Sequence, residues 1–84
     1  KTTFGYDKWK DFVDYLNENV RDKIDEIILC GTVTSICVLA NAVILRGLYP
    51  NMKITVLKDL CADITDEAHE AALICMKSQQ IDVE

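Results

Sequence analysis

Glu26-Ile-Ile-Leu-Cys-Gly-Thr-Val-Thr-Ser-Ile-Cys-Val-Leu-Ala-Asn-Ala-Val-Ile-Leu-Arg-Gly-Leu48 is the stretch whose reading decides the fold. Its first part, Glu26 to Cys30, is a short apolar run closed by Gly31, the pattern of a strand buried on both faces of a parallel sheet. Gly31 to Ser35 has the composition of a turn. From Ile36 to Leu48 the chain is apolar almost all round, as in a helix packed on a sheet on one side and on other protein on the other. Gly47 and Pro50 end that helix.

The same logic extends in both directions. Downstream, Lys53-Ile-Thr-Val-Leu57 predicts a second strand, Asp63 to Asp66 a turn and cap, residues 67–79 an amphipathic helix, and Ile81-Asp-Val83 a third strand. Upstream, Trp9, Phe12, Val13, Leu16 and Val20 recur at helical spacing, so a helix is expected over residues 7–19 with Asp7 as its cap. Helices alternating with strands imply right-handed crossovers and an α/β fold: a three-layer α/β/α arrangement around a parallel, doubly wound sheet. This chain would supply about three strands and three helices of it. Three short strands leave a sheet with an exposed edge and thin cover, so a core built from 84 residues alone would be marginal. Lys1 stands where an initiator Met would be expected. Residues 1–84 are therefore read as the C-terminal part of a single domain, with an N-terminal half completing the sheet.

Composition removes several function classes. Half the residues are hydrophobic, 27% are charged and the net charge is −5, which fits a globular protein. The nine basic residues are scattered, whereas a nucleic-acid surface needs them clustered. No run approaches the ~18 apolar residues of a membrane span. The cysteines, Cys30, Cys37, Cys61 and Cys75, form no C-x-x-C pair, and the single histidine, His69, lies at no ligand spacing from them. Neither a structural zinc site nor a disulfide framework is expected, and reduced thiols suit a cytoplasmic protein.

Open parallel sheets bind ligands beyond the carboxyl ends of their strands, which is where the Gly31–Cys37 turn falls. If Thr34 or Ser35 caps the following helix, Cys37 lies in its first turn, where backbone N–H groups and the helix dipole favour a thiolate and can hold an oxyanion. The local pattern leaves a second reading open, in which Cys37 is a small apolar residue at the start of a buried helix. Cys30 and Cys75 are expected to be buried, with Cys61 partly open. His69, between Glu67 and Glu70, is read as a surface or hydrogen-bonded histidine, not a ligand. Asp59, Asp63 and Asp66 are read as turn and cap residues, and Trp9 and Phe12 as core.

Gly31 to Ala42 resembles the nucleophile segment of the isochorismatase-like cysteine hydrolases of nicotinamidase and pyrazinamidase type. There a strand ends in Gly, a Thr stands three residues before the nucleophilic Cys, and Cys-Val opens a helix of small residues. Thr34, Cys37, Val38 and Ala42 carry the match. Val56 to Ala62, with His69 and Leu73, extends it, and the resemblance runs from Lys1 to about Val83. Ser35 departs from the Asp of many members, which affects subfamily more than chemistry.

The resemblance implies that Cys37 is the nucleophile and that Lys1, in Lys1-Thr-Thr-Phe-Gly5, is the active-site lysine. It implies a nonproline cis peptide between Thr32 and Val33, with the backbone N–H groups of Val33 and Cys37 as the oxyanion hole. The family's proton-carrying Asp, and the Asp and His ligands of its divalent metal (zinc, for example), would lie upstream. No metal ligand and no cofactor is therefore assigned in this chain. The implied reaction is hydrolysis of a small carboxamide through a thioester, first of all nicotinamide to nicotinate and ammonia. Carbamoyl compounds and the vinyl ether of isochorismate are alternative substrates. The expected partner is that small amide, with no nucleic acid or membrane, in a cytoplasmic homo-oligomer, a dimer or tetramer. A rival from another class is a non-catalytic α/β binding module. Against it, the turn has neither Gly-x-Gly-x-x-Gly nor Gly-x-x-x-x-Gly-Lys-Ser/Thr.

Overall fold

A computed structural model describes residues 5–19 and 24–84. Helix α1 covers Trp9–Asn19, strand β1 Glu26–Thr32, a π-helical turn Thr34–Val38, helix α2 Leu39–Leu48, strand β2 Lys53–Ala62, helix α3 Asp66–Ser78 and strand β3 Asp82–Val83. The strands form one parallel sheet in the order β1-β2-β3. This is the α/β class and element order that the sequence implies. Val20 lies outside the described residues.

Each crossover steps one strand along the sheet in the same direction. With crossovers of one hand, that places α2 and α3 on the same face, and the two helices touch each other. The register explains which side chains they cover. Ile27 pairs with Ile54, and Leu29 with Val56, which pairs in turn with Val83. Their side chains meet Val38, Ala42 and Leu45 from the first crossover and Ala72, Leu73 and Met76 from the second, with Ile81 closing the end. Leu45, Ile54, Val56, Met76 and Ile81 are fully buried, each stabilising by about 1.5–3 kcal/mol.

The opposite face of the sheet holds Ile28, level with Thr55. Ile28 is 56% exposed, and Cys30 is exposed too. The expectation that β1 is buried on both faces, with Cys30 inside, is thus corrected. Among the described residues all the helical cover of the shared core lies on the other side. Cys75 is likewise exposed rather than core, because α3 turns Ala72, Leu73 and Met76 inward and leaves Ile74 and Cys75 outside. On α1, Val13 is buried while Phe12 is 45% exposed, its ring edge-on to Trp9. Phe12 is one position off the buried line. Val43, Ile44 and Leu48 remain partly bare on α2, in keeping with a helix that is apolar all round.

Some element ends differ from expectation. The Lys8 carbonyl accepts from the Phe12 amide, so α1 starts at Trp9 with Lys8, not Asp7, at the cap position. Strand β2 runs on past Leu57 to Ala62, following β1 beyond an irregularity between Leu29 and Gly31. Helix α3 is capped by Thr65, whose hydroxyl accepts from the Ala68 amide. Helix α2 continues through Gly47 to Leu48 before Pro50. No helix among the described residues is long and apolar enough to cross a membrane.

Arg46, on α2, ties the helix ends together. Its guanidinium donates to the carbonyls of Tyr49, Pro50 and Met52 after α2, and of Gln79 and Gln80 after α3. One cation therefore serves carbonyls left without helical partners at two C-termini, where the dipole also favours positive charge. Arg46→Met keeps the apolar stem but removes these donors. It is expected to lower unfolding free energy by about 2 kcal/mol in urea titration of the full-length protein; a loss below about 0.5 kcal/mol would mean water serves these carbonyls equally well.

Candidate active site

The chain must leave the sheet and enter a helix within a few residues after β1. Gly31 does so at φ 125°, a left-handed conformation that only glycine adopts freely. The next peptide, Thr32–Val33, is cis. Val33 is extended (φ −97°, ψ 137°) and occupies the cap position with no side-chain cap. Its carbonyl accepts from the amides of Ile36 and Val38, both at 3.1 Å. The second of these spans five residues, so the helix opens as a π turn, a form frequent at functional sites. Cys37 is within this turn. The expected capping by Thr34 or Ser35 is not found, because the helix already begins at Thr34 and Val33 takes the cap position.

On one side of the turn is an open cleft of about 260 Å³, lined by Trp9, by Leu29 to Thr32 of β1, and by Cys37, Val38 and Asn41. Cys37 is half-buried there. Asn41, a polar residue inside an apolar helix, organises the cleft wall. Its Nδ2 donates to the Cys37 carbonyl at 2.8 Å, while its Oδ1 accepts from the Tyr6 amide at 2.7 Å and the Trp9 indole at 2.9 Å. Gly5 lies so close over α2 that a Cβ there would run into Ile44. Trp9 thus has a structural and a lining role together. Val33, expected to supply an oxyanion N–H, is the cap of the Cys37 turn. Lys1 lies outside the described residues.

On the other side, Thr34 is fully buried and its hydroxyl is 2.8 Å from His69 Nδ1. Asp63 Oδ2 accepts from the Ser35 amide at 2.7 Å, and Oδ1 accepts from the Ile64 amide at 2.6 Å. The Ser35 side chain, hydrogen-bonding to the carboxylate, with smaller help from the Ile64 and Ser35 amides and nearby His69, holds the Asp63 carboxyl below its ordinary range against a partial burial penalty. Asp63, expected as a turn residue, therefore also fastens the Cys37 turn. Asn41 and the hydrogen-bonded Thr34–His69 pair are not among the site residues that the sequence predicts. The available signals were an Asn inside an apolar helix and the single histidine of the chain. Among the described residues no three His, Cys, Asp or Glu side chains converge as a metal site, so they do not fit the divalent metal of the resemblance.

A parallel α/β sheet with a cysteine-bearing turn at the carboxyl end of β1 defines a class, and comparison with known proteins gives the family. The chain belongs to the isochorismatase family, whose isochorismatase domain model matches residues 1–84. Among solved structures, it is similar to the nicotinamidase/pyrazinamidase of Bacillus subtilis at 31% identity and TM-score 0.78, covering 99% of this chain and 43% of that one. The nicotinamidase of Staphylococcus aureus is 29% identical with TM-score 0.81, over 100% of this chain and 50% of that one. The pyrazinamidase of Pyrococcus horikoshii, solved in complex with zinc, is 28% identical with TM-score 0.76, over 100% and 44%. The chain thus spans half or less of the length of these structures. A comparison with curated proteins found no match.

The thiols differ in ways that labelling can read. Burial raises the Cys61 thiol above its ordinary range, with only partial relief from the Gly31 backbone. Cys61 should therefore stay protonated to higher pH and react slowly with iodoacetamide near pH 7, speeding up only as the solution becomes alkaline. Cys37, in the helix-opening turn, is expected to be alkylated at least about tenfold faster than Cys61 at pH 7 in the intact protein, as followed by peptide mass spectrometry. Equal or slower labelling of Cys37 would contradict an activated thiol. Cys30 and Cys75, being exposed, serve as internal references.

Proposed function

We propose that the protein is a cysteine hydrolase of small carboxamides, with nicotinamide as the first substrate to try and nicotinate and ammonia as its products. The observation that carries this reading is the position of Cys37: half-buried, in the π turn at the carboxyl end of β1, lining a cleft. The Cys37 thiolate attacks the carboxamide carbon. The amides of Val33 and Cys37 receive the developing oxyanion. The nitrogen takes a proton from the carboxylic acid that the resemblance places upstream, ammonia leaves, and water hydrolyses the thioester.

Lys1 is proposed as the cation beside the thiolate, where an ammonium would favour the anion and the charge of the tetrahedral intermediate. In support, the segment following it is tied to the Cys37 turn, through the Tyr6 amide bonded to Asn41. The polar and aromatic lining of the cleft, Asn41 and Trp9, suits a flat amide. Four cysteines outside any disulfide accord with a reducing cytoplasm, and a homo-oligomer is the proposed assembly.

In the full-length protein, Cys37→Ala is expected to lower nicotinamide turnover by at least about a thousandfold, and Lys1→Ala by about a hundredfold, with melting temperatures close to the parent. Retention of more than a tenth of the parent turnover by Cys37→Ala would rule out the nucleophile. Parallel assays with a carbamoyl compound and with isochorismate decide among substrates within the family.

A further inference from the structure

We infer that His69, through Thr34, and Asp63, through Ser35, are positioning residues that set where the turn presents Cys37. The inference rests on the proposed role of Cys37 and names what holds it in place. Thr34 and Ser35 are consecutive residues at the start of the π turn, and each is fastened from outside its own element. Thr34 is fully buried, so its hydroxyl needs a partner, and His69 Nδ1 at 2.8 Å supplies one across a gap of 35 residues. Either tautomer satisfies the pair: the hydroxyl donates to a bare Nδ1, or Nδ1–H donates to the hydroxyl oxygen.

Asp63 makes a comparable link by a charged bond. One of its oxygens closes the local turn onto Ile64 and the other reaches the Ser35 amide at 2.7 Å. Both anchors lie at the start of α3: the His69 amide donates to the Thr65 carbonyl, Thr65 caps the helix, and Asp63 accepts from the adjacent Ile64 amide. Opposite them, Asn41 holds the Cys37 carbonyl. His69 and Asp63 line a separate polar hollow of about 360 Å³ rather than the cleft that Cys37 lines. Any effect they have on a reaction in the cleft must therefore pass through the turn. A displaced nucleophile loses rate, not substrate affinity, and a shift of about 1 Å can cost about a hundredfold.

The test uses the full-length protein, with nicotinamide turnover and iodoacetamide alkylation of Cys37 as paired readouts. His69→Ala and Asp63→Ala are expected to lower kcat and the Cys37 alkylation rate by about 10- to 100-fold, with KM within about twofold. His69→Asn, which returns a polar atom near the Nδ1 position, should recover both to within about threefold of the parent. Thr34→Val combined with His69→Ala should be no worse than the poorer single variant, since both remove one bond. If His69→Ala and Asp63→Ala leave alkylation and kcat within twofold, or raise KM in proportion to the loss, the inference is overturned. If His69→Ala does not fold, Thr34→Val decides, and an unchanged alkylation rate there overturns it equally. Alkylation needs no substrate, so it reads the inference whichever amide is hydrolysed. Activity surviving in Cys37→Ala would instead remove the proposed function, and this inference with it.

Discussion

Between Gly31 and Thr34 the chain stops being a strand and becomes a helix that crosses back over the same sheet, and the site depends on how those residues are held. Two kinds of force divide the work. Burial of Leu45, Ile54, Val56 and Met76 brings α2 and α3 down on β2, at about 1.5–3 kcal/mol for each side chain. The bonds from Thr34, Ser35 and the Cys37 carbonyl contribute about 1 kcal/mol apiece. The apolar term is larger, so it sets where the elements lie. It has no direction, however, and cannot aim a sulfur atom. The smaller polar bonds decide that, and they converge on the turn from α3 on one side and from Asn41 on the other.

The same division explains what was legible in the sequence. Periodicity and punctuation carry the apolar term, so the order of helices and strands, the parallel sheet and the place of the turn could all be read before any coordinates. Side-chain direction within an element was harder. Phe12 stands one position off the buried line of α1, and Cys75 one position before the buried Met76 on α3. A run such as Ile27-Ile28-Leu29-Cys30 does not reveal that only its odd-numbered residues face the helices of this chain. The bonds to the turn were the least visible. Thr34 and His69 are 35 residues apart, and Ser35 and Asp63 28, distances at which local pattern carries no information. Lys1, assigned by resemblance alone, lies outside the described residues.

Apolar side chains stay bare on several elements of the chain. Ile28, Leu60, Ile64 and Ile74 are each more than half exposed. The chain matches the isochorismatase domain along its whole length, yet spans half or less of the nicotinamidase structures it is similar to. The sheet face carrying Ile28 and Cys30 is open to solvent in this chain. Arg46 closes the other end of the unit, gathering the carbonyls that follow α2 and α3.

On the proposed reading, the sulfur of Cys37 becomes acylated during turnover. Full-length protein mixed with nicotinamide, quenched in acid within the first turnovers and digested, should yield a Cys37 peptide carrying a nicotinoyl thioester by mass spectrometry. The adduct should be absent from Cys30, Cys61 and Cys75 and should disappear once substrate is exhausted. Steady hydrolysis of nicotinamide with no acyl group on Cys37 at any quench time, or with the acyl group on another residue, would contradict the account.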